Sequence, residues 1–503
     1  MKRAASRRLE LIVFLAIGSA AHAQSPSMPS WLEVKPGDDF TLRVPSGELT
    51  LYGNLDVSVD VATKGMDSLT FPLDGKGLGP VGNMGWLPDL STNLSYVGVR
   101  GFETLGESGL KFVYQLETQL DIAATSGSAN TNSQSSDIVK GALTSRNSFI
   151  GLGGGWGTLR VGKTDAPYRL TTARLNPFSA MNGDYQVIMA NTGGDNRVEF
   201  GTRVDHAIWY ESPKVYGLSL AVLFAPGQNR GDDSGNLASG SSDCTGGNIP
   251  GSGGTGGPAS GFPIACNDGA FSDAFSASLS YEGGPLYLAA AYERHQKVNR
   301  NSDVYAIYGA YPLPAEVAGY DTADVAAEDA TKIAAQVKLP TGTSVGGIVE
   351  YMHRYVPSYL EFQNERQRWG TWVTVSQDLT DSDSIHLGWA HAGKTPGDPG
   401  QHNSSNATVA AGGAAGGANV DNTANMYTVA LKHRLTKNLV AYLDWAMTAN
   451  GPYAHYDLGA GGRAVTTDCH DASLPASGDV NGNPHCWTGA QLMAVSIGLK
   501  QKF

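Results

Sequence analysis

The sequence lacks long apolar runs and is poor in charge. After residue 23 no stretch approaches 18 uninterrupted apolar residues, the length that a membrane-spanning helix requires. Only 16% of the 503 residues are charged, and acidic residues outnumber basic ones by 47 to 35. Nucleic-acid-binding proteins present a basic face, so this balance argues against that class and predicts no nucleic-acid partner.

Signals of enzymatic chemistry are also scarce. The H-E-x-x-H motif is absent, and the glycine-rich run at 151–157 lacks the spacing of a phosphate-binding loop. His386 and His391 lie five residues apart on one predicted strand, so their side chains point to opposite faces and cannot share a site. We therefore expect no catalytic residue, no cofactor and no bound metal.

Cysteine is limited to four residues in segments rich in glycine, serine and asparagine. They are Cys244, Cys266, Cys469 and Cys486. An even number of cysteines in an exported chain predicts disulfides, and pairing of sequence neighbours is favoured among the three possible connectivities. His470 and His485 flank the second pair and leave zinc as the alternative, although structural zinc sites usually space their cysteines more closely.

The N-terminal region predicts export. Within residues 1–23, four basic residues precede a short apolar run, and Ala21-His22-Ala23 fits signal-peptide cleavage. Removal of this segment would leave 31 basic and 46 acidic residues, a formal charge of −15. Residues 24–47 show no clean period and are interpreted as an N-terminal extension in the periplasm. Residues 48–503 are predicted to form one domain.

Alternation of apolar and polar residues is the main positive signal. In the final stretch, 489–503, Phe503, Leu499 and Ile497 share one face, while lysine, glycine and serine occupy the other. A period of two predicts a β-strand. Residues 48–61 alternate in the same way. Fourteen further segments form seven pairs: 93–104, 109–122, 145–152, 158–163, 205–211, 218–224, 274–282, 286–294, 331–339, 344–355, 367–379, 384–392, 426–435 and 439–448.

The connections between these segments alternate between short and long. Tight turns such as 105–108 and 436–438 contrast with long polar connections at 62–92, 226–272, 394–425 and 451–488. This pattern is typical of an all-β, antiparallel transmembrane β-barrel of about 16 strands, with short periplasmic turns and long extracellular loops. A soluble all-β protein is the alternative, but so many long loops would be unusual in one.

Several segments resemble the general trimeric porins of Gram-negative bacteria, most closely the proteobacterial type. They are 49–59 (LTLYGNLDVSV), 94–121, 145–168, 203–224 and the terminal strand. The resemblance covers nearly the whole chain beyond residue 47. It implies a sixteen-stranded barrel, a homotrimer, a third long loop at about 165–202 folded inward as a constriction, and Phe503 as the terminus that directs barrel assembly.

Family constrictions set loop carboxylates against basic residues on the facing wall. By resemblance, Arg146 and Arg203 are wall arginines, and strand alternation places Arg160 on the lumen side. The loop would contribute Arg169, Arg174, Asp184, Asp195 and Glu199. Asparagine stands at three positions that are often charged in the family, Asn54, Asn93 and Asn176, so we expect a less polarised constriction.

The sequence therefore predicts an outer-membrane porin for passive diffusion of small hydrophilic solutes and ions. Outer-membrane lipid and lipopolysaccharide would surround it. The arginines suggest a substrate-selective channel for small organic anions as the first alternative. An outer-membrane enzyme and a plugged barrel acting as a surface receptor are the remaining alternatives.

Overall fold

A computed structural model provides the structure of the protein. It describes residues 32–33, 40–63, 86–120, 122–123, 146–189, 200–201, 203–226, 273–298, 326–355, 367–394, 421, 423–451, 456, 458 and 491–503. The predicted signal peptide, the four cysteines, Asp195 and Glu199 lie outside these residues. Within them, no helix combines the length and the apolar character needed to cross a membrane.

Antiparallel strands make up most of the described residues. The strands are β1 (Leu32–Glu33), β2 (Phe40–Val44), β3 (Gly47–Thr63), β4 (Trp86–Thr92), β5 (Tyr96–Leu105), β6 (Leu110–Gln119), β7 (Ser148–Gly154), β8 (Gly157–Asp165), β9 (Arg203–Glu211), β10 (Leu218–Pro226), β11 (Asp273–Gly283), β12 (Leu286–Val298), β13 (Ala326–Lys338), β14 (Thr343–Tyr355), β15 (Arg368–Asp378), β16 (Asp383–Ala392), β17 (Ala424–Arg434), β18 (Leu439–Asn450) and β19 (Gln491–Lys502). One short helix, α1 (Pro167–Thr172), and 3-10 turns at Ala173–Leu175 and Tyr185–Val187 follow β8.

The sheet closes on itself through β3 and β19. These strands pair from Asn54 opposite Lys502 to Ala62 opposite Ala494. Strands β4 and β5 both pair with the same edge of β3 and form one wall strand, interrupted near Leu94, whose φ of 51° breaks the extended backbone. With β1 and β2 outside the wall, the barrel has sixteen strands. The predicted antiparallel barrel is confirmed.

Side chains alternate between the two faces of the wall, because one face is turned to lipid and the other to the lumen. Val59, Ile333 and Ile497 point outward and are between 56% and 65% exposed. Their neighbours along β3, such as Asp56 and Asp60, point inward and are buried. A charge facing lipid at the membrane midplane costs about 2–4 kcal/mol, so the alternation fixes which face of each strand lines the lumen.

Two stretches without clean alternation also form strands. The prediction that 62–92 is a connection throughout is wrong for its last part, which is β4. Pro88 interrupts the pattern there, yet β4 pairs with β3 from Trp86 to Thr92. Strand β2 lies in the N-terminal extension and pairs with residues 47–51 of β3, beyond the point where β19 ends.

The last residue completes the seam, which is the pairing of β3 with β19 that closes the barrel. The backbone N–H of Gly53 donates to the Phe503 carbonyl oxygen at 2.9 Å, and the Phe503 N–H donates to the Gly53 carbonyl oxygen at 3.1 Å. The ring of Phe503 lies over Gly53, where a Cβ would overlap it. Glycine at this position therefore allows the terminal aromatic ring to dock. The role of Phe503 in barrel assembly stays a prediction.

The segment after β8 folds into the barrel, as predicted for the third long loop. Its apolar residues Leu175, Phe178 and Ile188 are fully buried and form one cluster with wall residues such as Trp372 and Met426. Among the described residues, the largest buried apolar cluster thus lies between this loop and one side of the wall. We call residues 165–189 the inner loop.

Candidate functional site

The inner loop begins against the wall formed by β10 to β14. Tyr168 of α1 is fully buried, and its hydroxyl donates to the Glu350 carboxylate at 2.6 Å. Burial and the nearby Glu350 carboxylate raise the pKa of Tyr168 well above the usual tyrosine value, so the hydroxyl stays protonated as a donor. Tyr287 of β12 donates to the Thr171 carbonyl oxygen at 2.6 Å. These bonds hold α1 to the wall.

The middle of the inner loop is anchored by Trp372 of β15. The indole Nε1–H donates to the Leu175 carbonyl oxygen at 2.9 Å. The ring stacks on Tyr185 at 5.1 Å between centroids and meets Phe178 edge-on at 5.9 Å. Gly388 on β16 leaves room for this contact, because a Cβ there would overlap both Trp372 and Phe178. One side chain thereby fixes three positions of the loop.

The tip of the inner loop reaches β17 and β19. Gly183 has a φ of 74°, which favours glycine, and its carbonyl oxygen accepts from the Thr428 hydroxyl at 3.0 Å. Asn182 donates from Nδ2 to the Ser496 hydroxyl oxygen. Lys432 donates to the Pro177 carbonyl oxygen at 2.5 Å. The loop therefore follows one side of the wall from β10 to β19 and leaves the lumen bordered by β3 to β9.

Arg146 is held on this opposite side of the wall by Glu117 of β6. Their Nε and Oε1 atoms are 2.5 Å apart, with both side chains at most 10% exposed. The Tyr52 hydroxyl donates to the other carboxylate oxygen at 3.0 Å. Gly98 lies between Tyr52 and Glu117, and a Cβ there would come within 2.7 Å of the Tyr52 ring. A glycine thus lets the three polar groups meet.

Arg203 belongs to a cluster at the root of the inner loop. Its Nη2 lies 3.1 Å from Oδ1 of Asp165, and its Nε donates to Asn147 Oδ1 at 2.7 Å. Arg169 lies one helical turn after Asp165, with its Nη1 3.7 Å from the same carboxylate. Asn147 donates to Asp165 Oδ2 at 3.0 Å. We call Asp165, Arg203, Arg169 and Asn147 the root cluster.

Arg160 is the third wall arginine. Its Nη1 lies 2.6 Å from Oε1 of Glu211, which also accepts from Trp209 Nε1 at 3.1 Å. The guanidinium stands over the Phe149 ring at 4.8 Å. Each of the three wall arginines thus has a carboxylate partner from a neighbouring strand or from the root of the loop.

Two of the expected site residues lie apart from the wall arginines. Arg174 extends across the Tyr287 ring at 4.2 Å and pairs with Glu282 at 3.0 Å. Asp184 is only 4% exposed and accepts from Asn176 Nδ2 at 2.8 Å and from the Ala180 N–H at 3.0 Å. On the inner loop, Leu170 remains 48% exposed.

Sequence reasoning missed the carboxylates that pair with the arginines. They are Glu117, Asp165 and Glu211, together with the amide of Asn147. Strand parity could have placed Glu117 on the lumen face, because it shares that face with inward-pointing residues of β6. No local signal relates it to Arg146, since the two residues lie 29 positions apart in the chain.

A serine motif in the chain has no catalytic setting. Residues 342–346 read G-T-S-V-G, which has the spacing of a hydrolase nucleophile elbow. The segment opens β14 after a strand-to-strand turn, whereas an elbow joins a strand to a helix. Within the described part of the chain, the buried Ser344 hydroxyl has no hydrogen-bond partner that could activate it. Among the described residues, no group of three or more His, Cys, Asp or Glu side chains is placed to hold a metal.

Comparisons with known proteins agree with this architecture. The sequence pattern of a family described as Gram-negative porin matches residues 11–452. The major outer membrane protein P.IB of Neisseria meningitidis serogroup B is 26% identical over 281 residues, 54% of this chain and 61% of that protein. Protein P.IA of serogroup C is 33% identical over 135 residues, 27% of this chain and 29% of that protein.

The chain thus spans less than two thirds of the length of these curated relatives. Among solved structures, an anion-selective porin from Comamonas acidovorans superposes with a TM-score of 0.56. That match covers 91% of this chain and 100% of the other at 15% sequence identity, which shows a shared fold.

Proposed function

Because the chain belongs to the Gram-negative porin family and is a protein of the outer membrane, we propose that it forms a water-filled channel for passive diffusion of small hydrophilic solutes and ions. The path of the inner loop carries this proposal. The loop packs on one side of the wall through a buried core, and the opposite side presents Arg146, Arg160 and Arg203. Charged side chains along a pore govern which ions pass.

We infer a homotrimer in the membrane. The resemblance to the general trimeric porins supports this assembly, and the outward apolar face of the strands is suited to lipid and lipopolysaccharide. The proposed activity involves no covalent chemistry and no cofactor.

Selectivity for small organic anions is the second candidate function. The three wall arginines favour it, since guanidinium groups bind carboxylates in paired hydrogen bonds. Their partners Glu117 and Glu211 compensate two of these charges, and Asp165 lies within reach of Arg203. Because two of the three wall arginines are each compensated by a carboxylate, general diffusion is the better-supported proposal.

Single-channel recording in a planar bilayer tests the proposal. Purified protein in a KCl gradient should give stable conductance that is lost in three equal steps if each subunit of the trimer holds a pore. The sign of the reversal potential then separates a general channel from an anion-selective one. Absence of conductance from folded protein would contradict the proposal and favour a plugged receptor barrel.

Mass spectrometry of the mature protein tests two further proposals. We propose that residues 1–23 are removed as a signal peptide and that the four cysteines form two disulfides. The intact mass should lack those residues, and alkylation should label the cysteines only after reduction. Labelling without reduction would contradict the disulfides.

A further inference from the structure

A second polar cluster lies behind the tip of the inner loop. Asp444 of β18 stands directly opposite Ser496 of β19, which in turn stands opposite Asp60 of β3. Side chains of directly opposed residues lie about 4.5–5.5 Å apart at Cβ. The two carboxylates therefore flank Ser496 on the inner face of the wall, where all three side chains are at most 2% exposed.

The tip of the inner loop covers this row. Asn182 donates from Nδ2 to the Ser496 hydroxyl oxygen, and its side chain is 1% exposed. The next residue, Gly183, is tied to Thr428 by its carbonyl oxygen, and its N–H donates to the Leu458 carbonyl oxygen at 2.8 Å. The loop thus closes a small polar site against the wall, which we call the tip site: Asp60, Asp444, Ser496 and Asn182.

The tip site contains buried oxygen atoms that the described chain leaves without hydrogen-bond donors. Both carboxylate oxygens of Asp444 and the amide oxygen Oδ1 of Asn182 are in this state. Asp60 accepts from the Ser91 hydroxyl. A buried carboxylate without a donor or a cation is costly, because it has lost its hydration without replacement.

The lysines nearby are engaged elsewhere. Lys432 donates to the Pro177 carbonyl oxygen at 2.5 Å, and Lys500 lies 3.3 Å from Asp56 Oδ2. In the part of the chain that the structure describes, no basic side chain lies within ion-pair distance of Asp444. The charge of this carboxylate therefore calls for a positive group from outside the described residues.

We propose that the tip site binds a divalent cation of the Ca²⁺ type. Carboxylate, amide and hydroxyl oxygens are hard ligands, and Ca²⁺ accepts six to eight of them in irregular geometry at about 2.3–2.6 Å, with water completing the shell. Mg²⁺ fits less well because it demands a nearly ideal octahedron. Two carboxylates balance the charge of the ion, and Asn182 brings the loop tip into its coordination shell.

The ion would bridge the wall and the inner loop. With two carboxylates and neutral oxygens, the affinity should resemble that of weak extracellular calcium modules, with a dissociation constant of about 10⁻⁴–10⁻³ M. Bound calcium would hold the loop tip against β18 and β19 and so stabilise the constriction.

Calorimetric titration of the intact, detergent-solubilised protein tests the site. The protein is stripped with a chelator and titrated with CaCl₂, alongside Asp444→Asn and the control Asp381→Asn. Asp381 lies at the exposed turn before β16, so its substitution removes the same charge away from the tip site. We expect Asp444→Asn to raise the calcium dissociation constant of one class of site at least about tenfold. The control Asp381→Asn should bind calcium as the wild type does.

Thermal unfolding gives an independent measurement. Calcium should raise the unfolding temperature of the wild type and of Asp381→Asn, and it should leave that of Asp444→Asn unchanged. Equal calcium binding by all three proteins, or no binding by the wild type up to on the order of 10 mM, well above the expected dissociation constant, would overturn the proposal. A more stable Asp444→Asn protein without any calcium effect would instead indicate a protonated Asp444. None of these readouts requires channel activity, so they are separable from the proposed function.

Discussion

At the scale of single residues, the arginines proposed to line the lumen are held in ion pairs. Arg146 is clamped by Glu117, and Arg160 by Glu211, so each guanidinium is fixed in place and largely compensated. Fixed charges of this kind shape the field that a passing ion meets. Removing one of these carboxylates should therefore change which ions the pore prefers, even though the chain as a whole keeps its negative charge.

Replacement of Glu117 by glutamine tests this dependence. The amide keeps a similar shape but leaves Arg146 as a net positive charge, so the reversal potential in a KCl gradient should shift toward anions. The free energy of unfolding should fall by about 1–3 kcal/mol, because a buried charged hydrogen bond is lost.

Glu211→Gln provides the matched control for stability. This carboxylate is 35% exposed, so solvent compensates for much of the lost pair and the cost should stay within about 0–1 kcal/mol. Its reversal potential should still shift in the same direction. No shift in either variant would show that these pairs do not face the conducting path.

At the scale of elements, the inner loop owes its position to the wall strands. Trp372 contributes a hydrogen bond to Leu175 and ring contacts to Tyr185 and Phe178. A loop with this much buried apolar surface occupies one position on the wall, since every alternative would expose its core to water. The loop is therefore a fixed part of the barrel interior.

The variant Trp372→Ala should loosen the loop. Loss of a buried tryptophan costs about 3–5 kcal/mol of packing, and we expect noisier single-channel currents with altered mean conductance. Trp156→Ala is the control, because Trp156 is 47% exposed on the outer surface and stacks on Tyr210. Quiet currents of wild-type size from Trp372→Ala would contradict the anchoring role.

At the scale of the whole molecule, the barrel closes through one seam. Strand β3 pairs with β19 over residues 54–62 and with β2 over residues 47–51. The two partners lie on the same edge of β3, one after the other. Strand β2 therefore pairs with β3 beyond the point where the last strand ends, while the sixteen wall strands close without it.

Deletion of residues 24–46 tests whether the seam suffices. The nine paired positions between β3 and β19 should keep the barrel closed, so the truncated protein should still fold and conduct as the full-length protein does. Its unfolding temperature should be lower, because one edge of β3 loses the β2 ladder. The measurement is the mobility shift of folded protein on heating in detergent. Failure to fold would assign the extension to the barrel itself.

The sequence by itself determined most of the strands, which side chains of each strand point inward or outward, and the class of fold. A period of two is a local property, and a wall between lipid and water enforces it residue by residue, so segments such as 48–61 and 439–448 were predictable. The same reasoning failed for β4, where Pro88 disturbs the period but pairing with β3 still forms the strand. The inward fold of the third loop followed from family resemblance.

Only the tertiary structure decided which side chains meet. Arg146 contacts Glu117 across 29 positions, and Asn182 contacts Ser496 across 314. Such contacts depend on the register of many strands and on barrel closure, which brings the first and last wall strands together. No local sequence pattern encodes the combined register of all these strands. The tip site and the carboxylate partners of the arginines are therefore visible only in the closed barrel.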